Sequence, residues 1–193
     1  MNYLAHCFLS CSEEDLLIGN FIADSIRNRD LPALHERVRD GVMLHRKIDT
    51  FTDVHPITRQ GTARLHPHHG KYAGVVIDIF YDYLLVNNWE KYSGEDPAAW
   101  TQNIYRILEK RQTDIPPKLQ RSLPHMIRDN WLLRYGTEEG LRFTFSKMKN
   151  RVKYPDMMAG AVDNLLNNYA AFNAEFNLFF PEVIAYVEGE CKC

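Results

Sequence analysis

Three polar side chains in the segment HRKIDTFTD, namely His45, Asp49 and Asp53, recur at intervals of four residues. In a helix each such step rises about 6 Å and drifts about 40° around the axis, so the three keep broadly to one side. An imidazole and a carboxylate one turn apart can chelate a divalent cation, and a cation so held makes a nucleophile of its bound water at neutral pH. Geometry divides the set. His45 and Asp53 stand about 12 Å apart along the axis, too far to share one ion. Either His45 with Asp49 or Asp49 with Asp53 can chelate; His45 and Asp49 are the preferred ligands. Asp53 has a separate reading as a cap or turn residue before Val54-His55-Pro56.

A second pair, Asp78 and Asp82, lies in VVIDIFYDYLL. Both fall on one helix face with about 6 Å of rise between them. An unpaired buried carboxylate costs several kcal/mol, so on such an apolar helix the pair should ligate a cation, meet an arginine or line a wet cleft. The plainer reading is an exposed stripe shared with Asn87. Asp24 follows Gly19, Asn20 and Ala23 in LLIGNFIADSIR. Small residues on that face admit a close neighbour, either a helix or a substrate; the plainer reading is an Asp tolerated near a polar helix end. His6 either faces the same interior or is a satisfied core histidine. The candidate ligands are therefore His6, Asp24, His45, Asp49, Asp78 and Asp82. Mixed imidazole and carboxylate donors on separate helices suit Mn²⁺, Fe²⁺ or Mg²⁺ better than structural zinc. His66, His68 and His69 occupy the Pro/Gly-rich HPHHG and read as surface residues.

The elements that must position these groups are helical. Alternating β-branched runs and Asn-Gly hairpin turns are missing. Ser12 before Glu13, Glu14 and Asp15 predicts an N-cap opening LLIGNFIADSIRNR. Pro32 starts a second helix, ALHERVRDGVMLHRKIDTF, with Leu34, Val38, Val42 and Ile48 on one face. His55-Pro56 ends it and opens ITRQGTARLH. KYAGVVIDIFYDYLLVNNW is apolar almost all round and predicts the central buried helix. Further helices are expected over 96–113, 117–135, 138–150 and 157–188. Residues 1–193 read as one compact all-α domain without repeat or linker.

The 193 residues suffice for one substantial core; 45% are hydrophobic and 25% charged, an ordinary globular balance. A net charge of -2 gives no global attraction to nucleic acid or anionic membrane. Cys7, Cys11, Cys191 and Cys193 sit at the chain ends, too few for a secreted disulfide scaffold. Cys7 and Cys11 read as small core residues on a helix, and the Glu-Cys-Lys-Cys tail as frayed. The opening MNYLAHCFLSCSEED lacks a basic, apolar leader pattern, and no apolar run approaches the roughly 20 residues of a membrane helix. A soluble, reducing, cytoplasmic setting is expected.

MNYLAH at the start, GNFIAD at 19–24, MLHRKIDTFTD at 43–53, the Asp78-to-Asp82 helix and NWLLRY at 130–135 together resemble the acyl carrier protein phosphodiesterases. Order and spacing match over most of the chain; the carboxy-terminal third carries little signature. That family is regarded as a divergent branch of the all-helical, metal-dependent HD phosphohydrolases, so the resemblance implies an HD-phosphohydrolase-like domain. Here no His is followed directly by Asp, and the candidates for that dipeptide are separate, Asp24 or the His45/Asp49 pair.

The resemblance further implies hydrolysis of the phosphodiester joining 4′-phosphopantetheine to a serine of holo acyl carrier protein, with Mn²⁺ as the metal. Asp24, Arg46 and His6 are the candidate catalytic groups. Arg46, about 100° round the helix from His45, either reaches the phosphate or serves as a surface salt-bridge partner. His6 or water would protonate the departing serine alkoxide. Carrier proteins are acidic, so a basic docking face is expected: RFTFSKMKNRVK, residues 142–153, has five basic side chains and no acid, and Arg37, Arg39 and Lys47 form another cluster. The alternatives are an HD-like phosphohydrolase of a nucleotide or other small phosphoester, and a non-catalytic helical protein that holds a carrier protein or an acyl chain.

Overall fold

The computed structural model describes residues 1–191, and the regular elements among them are helical. The α-helices are α1 (Tyr3–Phe8), α2 (Glu14–Ile22), α3 (Glu36–Val54), α4 (Pro56–His69), α5 (Ala73–Asn87), α6 (Pro97–Lys110), α7 (Pro117–Arg128), α8 (Trp131–Arg134), α9 (Glu138–Lys149), α10 (Ala161–Asn167) and α11 (Tyr169–Cys191). No described helix is long and apolar enough to cross a membrane.

The apolar helix α5 lies at the centre, burying Val76, Ile77, Ile79, Phe80, Tyr81, Leu84 and Leu85. Against it α11 presents Phe172, Phe176, Phe179 and Phe180, with Tyr81 stacked 4.8 Å from the Phe179 ring. This aromatic contact buries large area in a fixed geometry, so it holds α5 rigidly under the site.

Two close approaches set the positions of the functional helices. Gly19 of α2 and Gly41 of α3 meet backbone to backbone: a Cβ on Gly41 would lie 2.4 Å from the Leu16 carbonyl oxygen. Only glycine allows that separation, which brings Asn20 of α2 against His45 of α3. The second approach concerns α1, six residues long and too short to persist alone. Its first free amides, Leu4 N and Ala5 N, donate to Asp82 Oδ2 and Oδ1 at 3.0 and 3.1 Å. A carboxylate from α5 thus caps α1 and anchors it to the core.

Several sequence expectations change here. Ser12 does not cap α2; it sits at φ 54°. The helix predicted through Arg29 stops at Ile22, so Asp24 rides on a 3-10 turn, Ala23–Ser25. Asp53 is exposed inside α3, and the capping falls to His55, whose Nδ1 accepts from Ile57 N at 3.3 Å. The span 117–135 breaks between α7 and α8, where Asn130 takes a left-handed φ of 44°. The span 157–188 divides into a 3-10 turn, Pro155–Met158, then α10 and α11. His69 is no surface residue: it is fully buried at the end of α4, its Nδ1–H donating to the Met157 carbonyl at 2.7 Å and its Nε2 accepting from Asn164 at 2.9 Å. Cys7 is buried on α1 as expected, whereas Cys11 lies beyond that helix and is joined to Cys191 by a disulfide. Of the expected frayed tail, Glu190 and Cys191 belong to α11, while 192 and 193 lie outside the described residues.

Candidate metal centre

His6 on α1 and His45 and Asp49 on α3 bring one donor atom each to within 4.8 Å of one another. Asp49 stands between the imidazoles, with Oδ1 3.1 Å from His6 Nε2 and Oδ2 3.2 Å from His45 Nε2. The two rings stack, centroids 3.7 Å apart and 15° from parallel. Both histidines are buried, and Asp49 is the half-exposed member that opens toward solvent. On the outer side, Asp24 Oδ1 lies 3.4 Å from His45 Nε2, with its side chain 76% exposed.

Asn20, a buried residue of α2, orients both imidazole-bearing segments. Its Nδ2 donates to the His6 carbonyl at 2.7 Å, and its backbone and side-chain oxygens accept from His45 Nδ1 at 2.9 and 3.0 Å. A histidine that spends Nδ1–H on a fixed carbonyl presents Nε2 as its ligating atom, the usual support for a metal-binding imidazole. The sequence carried a signal for Asn20, a polar residue on the small, otherwise apolar face of GNFIAD, but nothing in it said which groups Asn20 would hold.

Titration follows from these contacts. Burial disfavours a charge on His45, yet hydrogen bonds to Asp24 and Asp49 outweigh it and raise the imidazole to about 9. Burial dominates at His6 and lowers it to about 4 despite Asp49. Asp24 is held below the usual carboxylate range, chiefly by its hydrogen bond with His45. Burial alone would raise Asp49, but the two imidazoles hold it far below that range. The cluster therefore consists of two ionised carboxylates, one neutral imidazole and one protonated imidazole whose proton a cation can replace.

Two nitrogens and a carboxylate that converge, one imidazole pre-oriented by Asn20, fit a divalent cation of the Mn²⁺ or Fe²⁺ type, with Asp24 adjacent. The six expected ligands do not all gather. Asp78 lies next to the cluster but is engaged by the Met1 ammonium, 3.1 Å from Asp78 Oδ1 and 3.5 Å from Asp49 Oδ1. Asp82 is not among the converging donors: it is fully buried and both its oxygens cap α1. Arg46 does not reach the site either. Its guanidinium donates to Asn28 Oδ1 at 2.8 Å and the Ile26 carbonyl at 2.9 Å, bracing the segment that follows Asp24.

The cluster opens through Asp24 and Asp78 into a cleft of about 930 Å³, whose remaining walls come from α1, α5, α7, α8 and α9. The motif NWLLRY contributes Trp131, Arg134 and Tyr135 to it. Of the expected basic clusters, Arg37 is neutralised by Glu13 and Asp40, and Lys47 by Glu190. Within 142–153, Arg142 pairs with Glu138 and Asp163, while Lys147 and Arg151 line the cleft.

Residues 1–183 match the family model for acyl carrier protein phosphodiesterase. The chain is 28% identical to the acyl carrier protein phosphodiesterase of Photorhabdus laumondii over 194 residues, covering 98% of this chain and 96% of the relative. It is 26% identical to that of Serratia proteamaculans over 185 residues, covering 95% and 96%. For that of Enterobacter sp. (strain 638) the figures are 25% over 191 residues, covering 98% and 99%. No solved structure matches.

Proposed function

The chain belongs to the acyl carrier protein phosphodiesterase family, and we propose that it hydrolyses the phosphodiester between 4′-phosphopantetheine and a carrier-protein serine, yielding apo carrier protein and free 4′-phosphopantetheine, with a divalent metal, Mn²⁺ foremost. The observation that carries this reading is the convergence of His6, His45 and Asp49 beside a cleft lined by Asp24, which lies 3.4 Å from His45 Nε2. These three would hold the cation, and Asp24 is the adjacent carboxylate. When bound, the metal neutralises phosphoryl charge and lowers the pKa of a coordinated water.

The chain's own groups have separate tasks in this scheme. Asn20 holds the two histidine-bearing segments at fixed separation, so the donors pay little reorganisation. Asp24, ionised and open to the cleft, orients an attacking water and accepts its proton. Asp78 stands at the edge of the cluster, 3.1 Å from the Met1 nitrogen. His6, neutral and buried against Asp49, acts as a ligand, so the proton for the departing serine oxygen comes from water. The HD-like element is then His45 and Asp49, one helical turn apart instead of adjacent. A cleft of about 930 Å³ favours an extended prosthetic arm over a compact phosphoester.

The test is to incubate the protein with holo acyl carrier protein and Mn²⁺ and follow the carrier by mass spectrometry. Loss of the prosthetic group is expected. A carrier that stays intact with every divalent metal offered overturns the reading.

A further inference from the structure

The cleft is one-sided in charge. Its two acids, Asp24 and Asp78, adjoin the His/Asp cluster, and the lining from α7, α8, α9 and the turn after α9 carries Lys118, Arg134, Lys147 and Arg151 without an acid. Lys118, Lys147 and Arg151 are exposed, and none of the three pairs with a carboxylate among the described residues. Two cations elsewhere on the surface are by contrast neutralised, Arg64 by Glu175 and Arg111 by Asp15 and Asp114. Two head groups of the wall even converge on one ring: Arg134 lies 4.0 Å and Lys147 5.1 Å from the Phe143 centroid. Like charges gathered on a rim raise its potential and favour an anionic partner over an unbound state.

Resting on the hydrolytic reading above, we infer that Lys118, Lys147 and Arg151 form the rim on which the acidic surface of the carrier protein lands. Its modified serine then faces Asp24, and the arm lies along the cleft floor of Ile79, Leu119 and Met148. This docking surface is not the basic run 142–153 itself. It takes two residues from that run and a third, Lys118, from a different helix. Lys149 has the same charge on the same helix but borders another hollow, with Phe145 and Met158.

Binding of apo carrier protein isolates the surface contact from the chemistry, because that ligand has no arm. Titration at low salt is expected to show Lys118→Glu/Lys147→Glu/Arg151→Glu about 50-fold or more weaker than wild type, with its salt dependence lost. The corresponding triple Gln variant should fall between, and Lys149→Glu should stay within about twofold of wild type. With holo carrier the triple variant should raise KM and leave kcat unchanged. Circular dichroism identical to wild type excludes unfolding as the cause.

Wild-type affinity in the triple variant overturns the inference, as does an equal loss from Lys149→Glu. A wild-type protein that fails to bind apo carrier at low salt overturns it as well. If the rim binds apo carrier as described and no arm is ever released from holo carrier, the docking surface stands and the hydrolytic reading falls.

Discussion

Replacing Gly41 by alanine puts two opposed effects on one atom. Alanine in a helix interior is favoured over glycine by about 1 kcal/mol, so helix propensity alone predicts a more stable protein. The structure predicts the reverse. The new Cβ would lie 2.4 Å from the Leu16 carbonyl oxygen and 2.9 Å from Gly19 Cα. Both are backbone atoms, so α2 and α3 must move apart rather than one side chain turning aside. Overpacking of this kind costs about 1–3 kcal/mol. The net expectation is destabilisation by about 1 kcal/mol, a fall in Tm of roughly 2–4 °C for a chain of this size. The same displacement pulls Asn20 away from His45 Nδ1, now 2.9 Å from the Asn20 carbonyl, so Mn²⁺ affinity should drop about tenfold or more. Gly74→Ala is the control: nothing lies within 4 Å of its Cβ, and it should stabilise by a few tenths to about 1 kcal/mol. Urea unfolding of metal-free protein and Mn²⁺ titration give both readouts. A Gly41→Ala protein as stable as wild type with unchanged Mn²⁺ affinity refutes the close-packed α2–α3 contact and its role in holding the site.

In metal-free protein the His45 pKa, about 9 in the fold against 6.5 unfolded, makes its contribution full below about pH 6.5 and lost as pH rises through about 9. The stability difference between wild type and His45→Gln should therefore shrink by up to roughly 3 kcal/mol over that window, and a constant difference in urea unfolding counts against the ion-paired imidazole. Asp49→Asn should reduce metal content in direct metal analysis to background and turnover by about 100-fold or more, since Asp49 meets both imidazoles. Arg46→Ala releases the Ile26 carbonyl and Asn28 but touches no ligand, so kcat should fall by less than about tenfold with KM for the carrier unchanged; a loss as large as that of Asp49→Asn would return Arg46 to the reacting phosphate.

Helical periodicity carries short-range information, and what it reaches was legible. The 3.6-residue repeat of Val38, Val42 and Ile48 located α3, although Pro32 and Leu34 fall before its start at Glu36, and the all-round apolarity of 73–87 identified α5 as the central helix. The four-residue beat set His45 and Asp53 too far apart to share an ion, because rise per residue is a property of the helix itself, but it left Asp49 able to join either. Breaks were less visible. Asn130, in the left-handed region, ends α7 in a stretch whose composition reads as one helix.

Spacing along a helix says which side chains share a face; it does not say what that face meets. Asp78 and Asp82 are equivalent in the sequence, yet Asp78 meets the Met1 ammonium at the cleft while Asp82 meets the free amides of α1. Arg46 follows His45 directly but turns to the loop after Asp24. The cationic rim draws Lys118 from α7, Lys147 from α9 and Arg151 from the turn after α9, and their common wall exists only after packing. The sequence by itself determined the all-helical architecture, the chemistry of the donors and the resemblance that suggests a substrate. Tertiary structure decided which donors converge, because convergence depends on two glycines bringing α2 onto α3 and on Asp82 anchoring the short helix that carries His6.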